Sequence, residues 1–426
     1  MRKIYSGRSG GNHIGSFEFI VNTAISGSSG VNYFRLPLAA AENGMSFLAE
    51  WGDGTSSYID TTNFVAERLH DYGAAGNYTV KLSGNVVGFS FGDMSTGTDD
   101  ASKLIEIVHW GDYKGTEDRV FTDCINLTHV SAKDTPLLIV NNTTQNMFSG
   151  CTNLVAINNL NNWNVRIIEP VASGTQTALY GMFNGCAAFE SGSWPTLSQP
   201  NLSNWDVSQC ADFRFMFAFA TSFNGELFRV TQVLNGGIGQ QGLENMFYDA
   251  RSFNNGGSSS INNWDVSSAG SFRHLFLGAD AFNQPLNNWD TSSVTDMRKV
   301  FFNSFASPGG SFNQPLNNWD VSNVTDMRSI FGYSNFDQDI SSWNVNALSL
   351  NGNGQGSPIT GTSGNLTLST TNYDALLIAW DAYSYPSWPG SGMNFGNSTF
   401  SLGTAAETAR TSLIAKWGGI TDGGGV

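Results

Sequence analysis

Charge is scarce in this sequence. Asp, Glu, Lys and Arg make up 13% of 426 residues, against the roughly 25% usual for soluble domains. Gly, Asn, Ser and Thr take their place, so the surface is hydrated by amides and hydroxyls, a composition common outside cells. Basic charge is scarcer still: 20 Lys and Arg face 35 Asp and Glu, for a net charge of −15. That argues against nucleic acid or anionic membrane as the main partner, because both need a basic face. Four cysteines are too few for a disulfide scaffold. No C-x-x-C occurs, so a structural zinc site has no support. No run approaches the roughly 18 apolar residues of a membrane span. The N-terminal MRKIYSGRSGGNHIG has basic residues but lacks the apolar segment of a secretory signal. We read residues 1–15 as an arm, disordered or ordered by docking onto a partner.

Reaction centres are missing too. There is no H-E-x-x-H and no G-x-x-x-x-G-K-[ST], and the one G-x-S-x-G, Gly7 to Gly11, lies in the arm and follows no strand pattern, so it is no nucleophile elbow. The five histidines, His13, His70, His109, His129 and His274, show no ligand spacing. No catalytic, cofactor-binding or metal-ligating residue is therefore assigned, and no cofactor is expected.

What is present is repetition. FNQPLNNWDVSNVTDMRSIF (Phe312 to Phe331) nearly duplicates FNQPLNNWDTSSVTDMRKVF (Phe282 to Phe301). Looser copies run from about residue 104 to about residue 345, which predicts a stack of like units. Each unit closes on a phenylalanine: Phe121, Phe148, Phe183, Phe217, Phe247, Phe276, Phe301 and Phe331. Val324, Met327 and Phe331 have helical spacing, and Asn323-x-x-Asp326 resembles a helix start. A short helix is expected there, packed on a short strand or extended segment at Leu316, Trp319 and Val321. Trp163, Trp205, Trp264, Trp289, Trp319 and Trp343 mark a second repeated position. We read them as core rather than as a sugar platform, because a buried aromatic supplies much of a unit's stability. The Asn and Asp beside them are expected to bond the backbone of the next unit, with a calcium ladder as the alternative. Cys124, Cys151 and Cys186 share one repeat position, as buried space-fillers or as disulfide partners between neighbouring units.

Residues 16–92 read as a separate block of short strands and Gly/Asp turns, an antiparallel β-sandwich. WGDGT (Trp51 to Thr55) and H-x-Y-x-x-x-G-x-Y-T-V (His70 to Val80) resemble the polycystic-kidney-disease (PKD) repeat, an immunoglobulin-like module. In that pattern His70 makes a structural hydrogen bond. Residues 93–350 are expected to form a leucine-rich-repeat-like α/β solenoid of about eight coils. KLIEIVHWGDYKG (Lys103 to Gly115) would be its first strand. Residues 351–426 read as a C-terminal cap with two amphipathic helices. Their apolar faces are Tyr373, Leu376, Leu377, Trp380 and Ala406, Ala409, Leu413, Trp417.

The FNQPLNNWDVSNVTDMR word, the WGDGT module and the tail (Leu368 to Tyr383, Asn397 to Gly425) resemble the BspA-type leucine-rich-repeat surface proteins. That resemblance implies a surface or adhesion role without enzymatic activity, and it carries over no binding residues. Inserts at 165–181, 190–201 and 224–245 break the period, and binding surfaces on solenoids arise at such inserts. Trp194 in one insert, and Tyr385 and Trp388 in SYPSWPG, are the candidate ligand contacts. The expected function is a non-catalytic interaction protein at an extracellular or virion surface, such as a phage head decoration or tail appendage. Its partners would be a host-surface protein or glycan and, through the arm, other virion proteins. A bacterial adhesin is one alternative. A carbohydrate-active enzyme with an acidic groove is another, since stacked units can bring two carboxylates together.

Overall fold

The computed structural model describes residues 15–38, 44–92, 100–115, 117–138, 144–165, 179–190, 202–208, 210, 212–230, 242–303, 309–348, 366–383 and 393–426. The fold is mixed α/β, with one large sheet and, among the described residues, three α-helices.

The chain opens with β1 (Phe17–Asn22), β2 (Tyr33–Arg35), β3 (Ser46–Glu50), β4 (Ser56–Asp60), α1 (Phe64–Glu67), β5 (Leu69–Asp71) and β6 (Asn77–Asn85). Strand β1 alternates: Phe17, Phe19 and Val21 are buried, and the residues between them are half-buried. That is the period-two pattern of a strand with one face on a core. β7 (Leu104–His109), β8 (Lys114–Gly115), β9 (His129–Val130), β10 (Leu137–Leu138) and β11 (Ala156–Ile157) follow. The large sheet has the order β11-β9-β7-β1-β6-β3-β4. β1 pairs antiparallel with β6 on one side and β7 on the other. β7, β9 and β11 run parallel. One sheet thus passes from the N-terminal strands into the repeats, while β2 and β5 pair separately.

His70 belongs to the N-terminal strands. Its Nε2 lies 2.7 Å from Asp53 Oδ2, and its ring stacks on Trp51 at 4.6 Å. Burial opposes ionisation of Asp53, but hydrogen bonds from Thr55 and His70 outweigh it and hold the carboxyl at about 2. A depressed carboxyl stabilises the fold above its ordinary pKa, near 3.8, and that contribution is lost as pH falls through the folded value. Asp53→Asn should therefore lower Tm at neutral pH, with the gap closing between about pH 4 and pH 2. Thermal melts across that range check it; a constant gap would reject the linkage.

Beyond β11 the described residues of the repeats form no α-helix and no strand, only isolated bridges and short 3-10 turns such as Ser259–Asn263. The expected helix from Val324 to Phe331 is absent. Two residues before each closing phenylalanine the backbone is left-handed: Arg119, Asn146, Gly181, Phe215, Asn245, His274, Lys299 and Ser329 have φ between 50° and 59°. Such a residue ends any right-handed helix. It also turns alternate amides toward the next unit. Met297, Lys299, Phe301 and Asn303 donate to the carbonyls of Asp326, Arg328, Ile330 and Gly332 at 2.7–3.0 Å. The apolar spacing that suggested a helix is still used, because Val324, Met327 and Phe331 are all buried. Asp326 does not start a helix either; its carboxylate accepts the Arg328 amide at 3.1 Å and pairs with that side chain at 2.8 Å. Ser329→Val should lower stability by roughly 1–2 kcal/mol, because a β-branched residue fits the left-handed region poorly. Ser329→Gly should not; urea denaturation of the two variants checks both.

Three aromatic rows run through the stack. The closing phenylalanines stack face to face from Phe121 to Phe331, with centroids 5.4–5.9 Å apart. A second row, Phe189, Phe223, Phe253, Phe282, Phe312 and Phe336, repeats at 5.8–6.2 Å. The third is Trp205, Phe228, Trp264, Trp289, Trp319 and Trp343, at 6.1–6.5 Å. These tryptophans are at most 3% exposed. The indoles of Trp289, Trp319 and Trp343 donate to the preceding unit's carbonyls at 2.8–3.0 Å. They are core and offer no sugar platform. Phe228 fills the tryptophan slot inside an apparent insert.

Asparagines tie the units together at two positions. Asn283 Oδ1 accepts from Asn313 N at 3.0 Å, and Asn313 Oδ1 accepts from Asp337 N at 2.8 Å. Asp337 in turn accepts from Ser369 N at 2.8 Å, joining the stack to the C-terminal region. Ahead of the tryptophans, Asn287 Oδ1 accepts from Asn318 N at 2.9 Å. The aspartates after the tryptophans bond locally instead: Asp290 accepts from Ser292 two residues on, at 3.0 Å.

The C-terminal region holds α2 (Thr370–Asp381), β12 (Met393–Asn394), β13 (Thr399–Phe400), α3 (Ala405–Trp417), β14 (Ile420–Thr421) and β15 (Gly424–Gly425). The expected apolar faces of both helices are buried. Trp380 meets Trp417 edge-on at 6.1 Å. Asp422 fixes the end by accepting from Tyr373 and Arg410, both at 2.7 Å.

Candidate functional site

Stacking dictates which side chains are free for other work. In each unit from Phe148 onward, the residues just before and four before the closing phenylalanine are buried with it, for example Leu243, Met246 and Phe247. Most residues three and two before it, and one and two after it, are half-buried or exposed and form an outer wall, although Ala218, Glu244, Asn303, Ser329 and Tyr333 at these positions are buried. In the first two units this wall is polar and small: Asp118, Arg119, Thr122 and Asp123, then Gln145, Asn146 and Ser149. From the third unit it turns aromatic and cationic. Tyr180 lies under the Arg214 guanidinium at 5.3 Å. Phe219, 45% exposed, packs against Tyr248 at 5.0 Å, and Tyr248 meets His274 edge-on at 6.1 Å. Further along, Lys299 sits over Phe302 at 5.0 Å, and Phe302 meets Tyr333 at 5.4 Å. None of these rings belongs to the three core rows.

Ion pairs decorate the same wall. Asp212, Asp296 and Asp326 each hold the arginine two residues on. Arg298 Nε and Nη2 both reach Asp296, and Arg298 Nε also lies 3.3 Å from Asp326 of the next unit. Exposed pairs of this type contribute about 0–1 kcal/mol each, so they order the wall more than they stabilise it. One stretch departs from the pattern. Where Asp is expected, Ser271 stands, and Arg273 has no carboxylate within ion-pair distance, although its charge acts on Glu244. Where the preceding unit would carry arginine, Glu244 stands; it accepts from Ser271 Oγ at 2.5 Å. Burial raises the Glu244 carboxyl, against that hydrogen bond. Arg273 Nε is enclosed without a hydrogen-bond partner. Burial, then the charges of Arg273, Lys299 and Arg298, push His274 down to about 4. Its ring is therefore neutral at physiological pH.

The ligand-contact candidates Trp194, Tyr385 and Trp388 lie outside the described residues, as do most of the inserts and all but the last residue of the N-terminal arm. Sequence reading missed Phe219, Tyr248, Ser271 and Arg273. Aligning the repeat words column by column would have exposed the Asp-to-Ser change. Cys124, Cys151, Cys186 and Cys210 are buried and form no disulfide among the described residues. The thiols of Cys151 and Cys186 donate to the preceding unit's Phe121 and Phe148 carbonyls, both at 3.0 Å. Among the described residues no group of three or more His, Cys, Asp or Glu could hold a metal ion, and no helix is long and apolar enough to cross a membrane.

The repeat words match one family model, described as a Mycoplasma protein of unknown function, DUF285, over residues 118–259 and 241–352. These overlapping matches cover more than half of the chain. The chain belongs to the DUF285 family. The matched span starts just before Phe121 and ends just after Trp343, so the family signature coincides with the aromatic rows. No curated protein and no solved structure matches.

Proposed function

We propose that this DUF285 protein is a non-catalytic interaction protein, working at a cell or virion surface through the outer wall of its stack. In this reading the repeats are a BspA-like leucine-rich-repeat solenoid, and the N-terminal strands are a PKD-like module that holds its first coil. The observation that carries the reading is the wall itself. Aromatic side chains appear at these outer positions in units from Tyr180 onward, whereas the first two units carry no ring there. Exposed aromatics beside arginine are the side chains enriched where partners bind. An enzyme would need a unique pair of carboxylates in reach of one bond. The wall's aspartates instead recur with the repeat and are taken up by arginines.

Binding to intact host cells or their surface extracts tests the role. Phe219→Ala with Tyr248→Ala should weaken binding while leaving Tm unchanged; undiminished binding would remove the wall from the function. Incubation with host polysaccharides should release no fragments, and depolymerisation would reverse the non-catalytic reading. Mass spectrometry of purified particles and of cell envelopes separates a virion location from a cellular one.

A further inference from the structure

We propose that the break in the Asp–Arg pattern at Ser271 and Arg273 is a subsite for the carboxylate of an acidic saccharide chain. The inference rests on the surface-interaction reading above and names its ligand class.

Three observations carry it. First, the vacancy has a defined chemistry. In the units of Asp212, Asp296 and Asp326 a carboxylate sits in the fork of the arginine two residues on. At Arg273 the same fork has a serine beside it. Its Nε is enclosed without a partner, and no ion pair involves this arginine among the described residues. Glu244, the nearest replacement carboxylate, is held by Ser271 and makes no ion pair with Arg273 within 4.0 Å. A planar guanidinium binds a carboxylate through two parallel hydrogen bonds. With Nε enclosed, a carboxylate supplied from outside would reach this guanidinium through its Nη atoms.

Second, Arg273 is the chain neighbour of His274, whose ring ends an aromatic series. Phe219, Tyr248 and His274 come from consecutive units and touch in series, at 5.0 Å and 6.1 Å. Aromatic faces carry the negative side of a quadrupole and attract the polarised C–H face of a pyranose. A row of rings at unit spacing suits an extended chain of sugars better than one small acid.

Third, the surroundings fit one anionic group and not a polyanion. Asp212, Asp296 and Asp326 neutralise the other arginines of the wall. The protein as a whole carries −15. A densely charged strand would be repelled, whereas a chain with spaced carboxylates meets one open arginine.

Isothermal titration of the full chain with a linear oligogalacturonate tests the proposal. A neutral oligoglucoside, a heparin oligosaccharide and a poly-glutamate peptide serve as comparisons. The oligogalacturonate should bind best, and more weakly as salt rises. Arg273→Gln should lower its affinity about tenfold to a hundredfold, the usual range for a charge-assisted hydrogen bond. Ser271→Asp combined with Glu244→Gln restores the neighbouring units' pair inside the protein. It should abolish binding with Tm retained, which separates occupancy of Arg273 from loss of fold. Glu244→Gln alone should bind at least as tightly as wild type, because it removes a negative charge that acts on Arg273. Phe219→Ala should cost about threefold to tenfold.

Several results overturn the proposal. One is absence of oligogalacturonate binding by the wild type. Others are tighter binding of heparin, equal binding of poly-glutamate without dependence on Phe219, or an affinity indifferent to Arg273→Gln. The surface-interaction reading falls separately, if the protein binds neither intact cells nor their surface extracts.

Discussion

Phe301→Ala should lower the unfolding free energy by about 3–5 kcal/mol, the range for removing a buried aromatic from a core. Phe301 touches more than its own unit. It stacks on Phe276 and Phe331 along its row, both at 5.8 Å, and on Phe312 of the second row at 3.9 Å. Deleting the ring therefore leaves a gap shared by three units. The backbone around it cannot close that gap freely, because four amides from Met297 to Asn303 are fixed to the next unit. In a stack held by nearest neighbours the damage should also be local. Hydrogen exchange should accelerate first at Met297, Lys299, Phe301 and Asn303, later at Asn245, Phe247 and Asp249 two units away, and last at Arg119, Phe121 and Asp123 of the first unit. Urea denaturation gives the total loss. A loss below about 1 kcal/mol, the centre of ordinary point substitutions, would mean that the row follows the backbone rather than holding it.

The same row shows what could be read without the fold. A large aromatic recurring at one position can only be inside a stack, so the phenylalanine and tryptophan rows were legible from spacing. The helices of the C-terminal region were legible because their apolar faces have the right period and a cap: Thr404 accepts from Ala406 N at 3.2 Å. The backbone of the repeats was not. Its left-handed position is filled by Arg, Asn, Gly, Phe, His, Lys and Ser in turn, so no residue type announces it. Meanwhile Val324, Met327 and Phe331 satisfy helix spacing by coincidence with a stack of turns. The continuity of the sheet through β1 and β7 was also silent, because both strands read equally well as edges of separate units. The wall was partly legible. Its rings looked like irregularities in loose copies, and Arg273 differs from its paired neighbours only through the serine two residues earlier. Function at that point is written as a missing carboxylate, which periodic matching smooths over.

Lys103→Met should be as damaging as the loss of a core ring, although it removes a charge and adds an apolar group. Lys103 and Asp100 have fully buried side chains, with Nζ 3.9 Å from Oδ1. At that distance they attract without a direct hydrogen bond, and each is solvated by the loop between β1 and β2. The ammonium donates to Ser29 Oγ at 3.0 Å, to Tyr33 O at 2.5 Å and to Gly30 O. The carboxylate accepts from Ser29 N at 3.0 Å and Arg35 N at 2.8 Å. The pair thereby ties that loop to the residues leading into β7, where the sheet enters the repeats. Gly27 shows how closely the loop is drawn in: a Cβ there would lie 2.3 Å from Asp100 Oδ1. Burial pulls the Lys103 pKa down and Asp100 pulls it back, so the site tolerates the ammonium only with its partner present. Methionine would leave Asp100 charged, buried and uncompensated, at a cost of about 3–5 kcal/mol. Lys103→Met with Asp100→Asn should recover part of that loss, because an amide oxygen still accepts from the Ser29 or Arg35 amide without carrying charge. Recovery in the double variant, read from urea midpoints at constant slope, identifies the unpaired charge as the cause. A single variant within about 1 kcal/mol of wild type would instead mean that water reaches Asp100, and that the loop is not sealed over the junction.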